Sequence, residues 1–146
     1  MALVANDTAL TGVWFDAQKH FPAQRHWLPN AQHPVLQHTA QQLDEYFAGK
    51  RTVFDLPLDL GGGTPFQQRV WQALLGIDLG ETVSYGTISE RIGQPSAVRA
   101  VGGAIGRNPI GIIVPCHRVV GSNGAMTGYA GGLQKKTALL HLEGAL

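Results

Sequence analysis

Three consecutive glycines, Gly61-Gly62-Gly63, cut this chain of 146 residues into a shorter N-terminal and a longer C-terminal part. Such a run has a permissive backbone and no side chains to pack, so it serves naturally as a boundary. A helix start follows at once: Thr64 as cap, Pro65 in the first turn, and Gln67 three residues after the cap. Phe66, Val70, Trp71 and Leu74 then fall on one apolar face. We therefore expect one domain over residues 1–60 and a second over 64–146, two small units packed together in a chain of this length.

The N-terminal part begins as a hairpin, Ala2–Ala5 and Leu10–Phe15 around a turn at Asn6-Asp7-Thr8. Pro22, Pro29 and Pro34 keep the next loop irregular. Leu36, Ala40, Leu43 and Phe47 recur at helical spacing, and Gly49 stops that helix. Val53–Leu58 alternates like a short edge strand. In the C-terminal part, Ser84 caps a helix bearing Tyr85, Ile88 and Ile92, which Gly93 ends. Gln94-Pro95 makes a turn, and Ser96 is expected to cap a second helix to about Gly106, the outline of a helix-turn-helix. Ile110–Val114 reads as a strand leading into Pro115-Cys116, Gly121–Gly124 as a turn, and Leu133–Leu142 as the closing helix. The expected fold class is α/β: a small N-terminal α/β domain, then a mainly helical C-terminal domain with a winged-helix-like helix-turn-helix.

Composition enters by what it excludes. With 44% hydrophobic residues, 14% charged and net charge +1, the chain is neither a disordered tail nor a strongly cationic coat protein. No apolar run approaches the roughly 20 residues that span a bilayer, and residues 1–7 lack the pattern of a signal peptide. No membrane partner is expected. Residues 1–63 hold six acids against four Lys/Arg, and residues 64–146 hold four against seven, a slight C-terminal bias toward polyanions. A single cysteine cannot form an internal disulfide, which suits a reducing cytosol or nucleus, and a cytoplasmic setting is expected.

That cysteine, Cys116, carries the chemistry. Pro115 fixes the backbone before it, His117 is a proton acceptor near neutral pH, and Arg118, or an adjacent helix N-terminus, is expected to favour the thiolate. In an extended strand, neighbouring side chains point to opposite faces, so His117 would reach the sulfur only through a backbone bend or a bridging water. The other histidines (20, 26, 33, 38 and 141) read as surface residues.

The run Pro115-Cys116-His117-Arg118-Val119-Val120 closely resembles the O6-alkylguanine-DNA alkyltransferases, the methylated-DNA–protein-cysteine methyltransferases. The likeness includes Arg99-Ala100-Val101-Gly102-Gly103-Ala104, Asn108-Pro109, Gly128-Tyr129-Ala130-Gly131-Gly132-Leu133 and Leu140-His141-Leu142-Glu143-Gly144. It spans residues 64–146 in unbroken order, whereas the first 60 residues are only generically similar to the family's variable domain.

The resemblance implies that Cys116 takes an alkyl group from guanine O6 in DNA, with thymine O4 a second candidate. His117 would act through water as base, Glu143 would orient it, and Asn108 would brace the helix-turn-helix against the cysteine. Tyr85 would donate to guanine N3 and help rotate the nucleotide. Tyr129 and the Val119 backbone would line the pocket. Ala130 stands where some relatives carry Ser, which removes one hydrogen bond to O6. Arg99 would fill the space left by the flipped base, while Ala97, Ala100 and Gly102 permit close approach to the minor groove.

The thioether product has no carbonyl for water to attack, so transfer is one event per molecule. No cofactor is expected, and no structural zinc, because Cys116 is the only cysteine. The partner is double-stranded DNA containing O6-alkylguanine, met by a monomer. With few basic residues the salt dependence of binding is expected to be shallow, at about 0.9 per phosphate contact. Two rivals remain at this point. A cysteine hydrolase or acyl transferase would need an oxyanion hole, which nothing marks, and would turn over an ester. A DNA-binding module would bind DNA with an inert thiol.

Overall fold

The structure, a computed structural model, describes residues 1–16, 18–22 and 27–146, so His26 lies outside the described residues. The antiparallel hairpin pairs β1 (Ala2–Ala5) with β2 (Leu10–Trp14), and Leu3 sits opposite Val13. Asn6 makes the turn, its Oδ1 accepting from the Thr8 and Ala9 amides at 2.9 and 2.8 Å. Helix α1 (Pro34–Phe47) starts on His33, whose Nδ1 accepts from the Val35 amide at 3.1 Å while Nε2 meets the Asn6 carbonyl at 2.8 Å. His33 is thus half-buried and structural, whereas His20, His38 and His141 are exposed.

The buried face of α1 differs from the expected one. Leu43 is buried as predicted, but its neighbours inward are Thr39 and Tyr46, while Ala40 and Phe47 face solvent. Residues three and four positions along a helix lie on the same side of it. The choice between Tyr46 and Phe47 therefore rests on tertiary packing.

Residues 53–58 do not form a strand. Only Leu58 bridges Leu10 in parallel, with the Leu10 amide donating to the Pro57 carbonyl at 2.8 Å and the Asp59 amide returning to Leu10 at 2.9 Å. Pro57 has no N–H to extend the ladder.

The Thr64 capping box forms as read, with Gln67 reciprocating, and starts α2 (Pro65–Leu74), which buries Val70, Trp71 and Leu74. The Ser84 hydroxyl caps α3 (Tyr85–Arg91), accepting from the Thr87 amide at 3.1 Å. Helix α4 (Val98–Gly106) follows, but Ser96 does not cap it; Ala97 holds the cap position and offers no side-chain acceptor. Trp71 Nε1 donates to the Ala104 carbonyl at 2.8 Å and pins α2 to α4. Helix α5 (Leu133–Leu142) closes the chain. A two-residue parallel ladder pairs β3 (Val83–Ser84) with β4 (Val119–Val120).

Residues 110–114 also depart from the expected strand. Ile110 makes one bridge to Val13, and the chain then coils into tight turns, with Ile112 in the left-handed region at φ +68°. An apolar run that is buried all round carries no period to separate a strand from a buried turn. One core unites the molecule: Leu10, Val13, Leu43 and Tyr46 pack in the same cluster as Val70, Ile88, Val101, Val119 and Leu139. The described residues contain no helix long and apolar enough to cross a membrane.

Candidate active site

The turns at 110–114 are held by one side chain. Asn108, only 3% exposed, accepts the Ile110 amide on Oδ1 at 3.0 Å. Its Nδ2 donates to the Val114 carbonyl at 2.8 Å, to Ile110 O at 3.3 Å and to the Cys116 sulfur at 3.1 Å. It thus supplies hydrogen bonds that a sheet would otherwise give this buried backbone, and it fixes the sulfur in doing so.

Cys116 opens a 3-10 turn, Cys116–Arg118, in place of the extended segment expected. The backbone bend that the sequence left open is therefore present. His117 does not bond the sulfur. Its Nε2 meets Glu143 Oε2 at 2.7 Å, and its buried Nδ1 has no hydrogen-bond partner among the described residues. A carboxylate on Nε2 fixes the proton there and leaves Nδ1 as an acceptor.

Arg118 does not serve the thiolate. Its guanidinium donates to Glu143 from Nε at 2.8 Å and Nη2 at 3.0 Å, and from Nη1 to the Ile77 carbonyl at 2.6 Å. Arginine's planar fork suits a carboxylate better than a sulfur point charge.

Burial pushes the Cys116 thiol above its ordinary pKa, against smaller pulls from Asn108, Lys136 and Tyr129. The resting group is therefore a thiol near neutral pH. Burial also lowers the pKa of His117, which Glu143 opposes, so the ring is held neutral. Burial alone would raise Glu143, yet donors from His117, Arg118 and Tyr46 hold it at about 2. A buried thiol, a neutral imidazole with a free nitrogen and a fixed carboxylate follow one another through the core.

Two buried partners escaped the sequence reading. Lys136, 1% exposed, donates its ammonium to the Val119 carbonyl at 2.6 Å and the Thr127 carbonyl at 3.1 Å. Tyr46 donates to Glu143 Oε2 at 2.5 Å. Nothing in the local pattern around either residue signals these contacts, because each partner lies far along the chain or across a loop.

Of the expected pocket residues, Tyr129 and Ala130 line a cleft of about 320 Å³ together with Gly102, Gly103 and Gly106, whereas Tyr85 and Val119 do not line it. Gly131 lets the loop close: a Cβ there would lie 2.8 Å from both the Phe15 and Tyr129 rings. Val119 is fully buried, and Tyr85 is bonded through its hydroxyl to Thr127 Oγ1 at 2.8 Å. Away from the sulfur, α4 buries Val101, Ala104 and Ile105 and exposes Val98, Arg99, Ala100 and Gly103. Ala97 and Gly102 are half-buried at the edges of that face. The face is small-residued with one arginine, a surface for close contact with little capacity to read bases.

Comparison with known proteins places this geometry among relatives. Residues 65–145 match the family model of the 6-O-methylguanine DNA methyltransferase DNA binding domain, and residues 1–60 match that of the ribonuclease-like domain. A methylated-DNA–protein-cysteine methyltransferase of Mycobacterium tuberculosis is 51% identical over 143 residues, covering 98% of this chain and 85% of the relative. One of Shigella flexneri is 53% identical over 107 residues, 73% of this chain and 63% of the relative. Among solved structures, M. tuberculosis OGT in complex with DNA superposes with TM-score 0.89 at 50% identity, covering 98% of this chain and 85% of that one. An O6-methylguanine DNA methyltransferase of Methanococcus jannaschii gives 0.62 at 26% identity, covering 99% and 94%.

Proposed function

This chain belongs to the 6-O-methylguanine DNA methyltransferase family, and we propose that its alkyl acceptor is Cys116, served by His117 and Glu143. The protein repairs DNA by moving an alkyl group from the nucleic acid to its own cysteine. The observation that carries the assignment is the Glu143–His117 pair, 2.7 Å apart, with Nδ1 left unpartnered one residue beyond a buried thiol.

The steps follow from the groups present. The thiol proton passes through a water to His117 Nδ1, because burial keeps the sulfur protonated at rest. The sulfur then bonds the alkyl carbon, and the carbon–O6 bond breaks. Its electron pair returns to the base, which takes up the proton that the imidazolium gives back through water, while Tyr85 donates a hydrogen bond at N3. Asn108 holds the sulfur on line, and Tyr129, Ala130 and the Val119 backbone bound the base. Arg99 occupies the stack when the nucleotide leaves it, while Ala97, Ala100 and Gly102 bring α4 against the minor groove. Residues 64–146 carry both acceptor and DNA face, and residues 1–60 form the second lobe. A lone reduced thiol suits a cytoplasmic protein.

Mixing the protein one-to-one with a duplex containing O6-methylguanine, followed by intact mass and peptide mapping, tests this. One methyl on the Cys116 peptide, absent in Cys116→Ser, is expected. Methyl on another residue, or none while the duplex is still bound, would overturn the assignment.

A further inference from the structure

We infer that Tyr46, on the N-terminal helix, is a positioning residue for the transfer, its phenol O–H setting how much charge Glu143 offers to His117. The inference rests on the reading of Cys116 and His117 given above.

Tyr46 lies 97 positions before Glu143 in the chain, yet its hydroxyl donates to Oε2 at 2.5 Å in a fully buried contact. That length is at the short end for a hydroxyl on a carboxylate. The same oxygen meets His117 Nε2 at 2.7 Å and Arg118 Nη2 at 3.0 Å, while Oε1, among the described residues, takes only Arg118 Nε at 2.8 Å. Phenol and imidazole therefore draw on the lone pairs of one atom. Any buried tyrosine hydroxyl seeks an acceptor, and a backbone carbonyl would satisfy it. Here the acceptor is the oxygen that holds the base. The ring is held by Phe54 and Phe47, with centroids 5.4 and 5.3 Å away, so the hydroxyl is fixed from α1 and the loop after it.

The charged and titratable groups around the pair come from α1, the 3-10 turn, α5 and the loop before α5, whose Tyr129 feels both Glu143 and Tyr46. Glu143 is met by Tyr46 from α1 and by His117 and Arg118 from the 3-10 turn. His117 feels Glu143, Arg118 and Lys136 of α5. Only Glu143 favours the protonated ring; burial and both cations oppose it. A phenol that withdraws charge from Oε2 weakens the one favourable contact and keeps Nδ1 free to accept the thiol proton. Without that donor, Oε2 is more negative, the imidazolium is better stabilised, and the base is lost to protonation at a higher pH.

The test is the single-turnover rate of methyl transfer from an O6-methylguanine duplex to Cys116, followed by intact mass from pH 5 to 9. Tyr46→Phe keeps the ring and removes the donor. Its acid limb is expected to move up by about one pH unit, the scale of a hydrogen bond to a charged group. The rate above the limb should change far less. Placing 3-fluorotyrosine at position 46 alone keeps the fold and strengthens the donor, and should move the limb down. If both profiles run parallel to the wild type, the phenol merely fills space and the inference fails. A Phe variant that does not fold leaves the fluorotyrosine shift to decide. Wild-type protein that takes no methyl on Cys116 would instead sink the underlying reading.

Discussion

Asn108 Nδ2 lies 3.1 Å from the Cys116 sulfur and, from the same nitrogen, 2.8 Å from the Val114 carbonyl. One amide therefore ties the nucleophile to the turn that presents it. Stability and reactivity share a side chain, and they should fail together. Asn108→Ala strips the buried Ile110 amide of its partner, while the Val114 carbonyl keeps the Cys116 amide at 2.8 Å. An unsatisfied buried amide costs about 1–3 kcal/mol, and a loss of that size is expected in urea unfolding. Asn108 also opposes the upward push on the thiol. Reaction of the folded variant with a thiol reagent should therefore need a higher pH than in the wild type.

Glu143→Gln should hurt twice. Arg118, buried and bonded to this carboxylate through two nitrogens, would lose its counter-charge, an effect of about 3–5 kcal/mol. The imidazole would lose the charge that orients it, slowing transfer to Cys116 by about 10²–10⁴-fold. Melting curves and single-turnover rates, measured on the same preparation, separate the two losses.

Acid should destabilise the protein in two stages. His117 has its pKa lowered by burial, so its neutral form is fully favourable above the ordinary 6.5, and that stability is lost as pH falls through the lowered value. Glu143, held at about 2 against an ordinary 4.5, contributes stability above 4.5 that disappears as pH falls toward 2. The second stage is of order 3 kcal/mol. Urea midpoints from pH 7 to 3 should fall continuously, and Glu143→Gln should flatten the lower part of that curve.

Arg99→Ala removes the long side chain from an exposed helix face built otherwise of small residues. If Arg99 fills the vacated stack, the cost should appear only when a base must be flipped. Unstacking is worth a few kcal/mol, so repair of O6-methylguanine in a duplex should slow by about 10–100-fold. Reaction with the free modified base should stay near the wild-type rate. Equal losses on both substrates would remove Arg99 from the flipping step.

Much of this architecture can be read from the chain because the signals are local. The Thr64–Gln67 capping box, the Ser84 cap and the stop of α1 at Gly49 each depend on residues within a turn of one another. The buried 110–114 turn is not legible in the run itself because part of its hydrogen bonding comes from Asn108, a side chain outside it, beside backbone bonds such as Val114 to Ile110. Ser96 looked like a cap, yet the helix starts one residue too late to use it. Cys116 and His117 stand out from their own residue types and adjacency, Glu143 enters only through resemblance, and the joint geometry of the three follows from the fold. Tyr46 was missed because helical spacing treats positions 46 and 47 alike; only the placement of Glu143 distinguishes them.

All ten positions from Gly111 to Val120 are buried, with the sulfur in their midst. A methyl group added to a surface thiol displaces only solvent, but one added here must displace packed neighbours. Overfilling a dense interior costs about 1–3 kcal/mol. A spent molecule should thus carry a physical memory of its single reaction. Its melting temperature would sit measurably below that of the unreacted protein, so heat alone could sort the used copies from the unused.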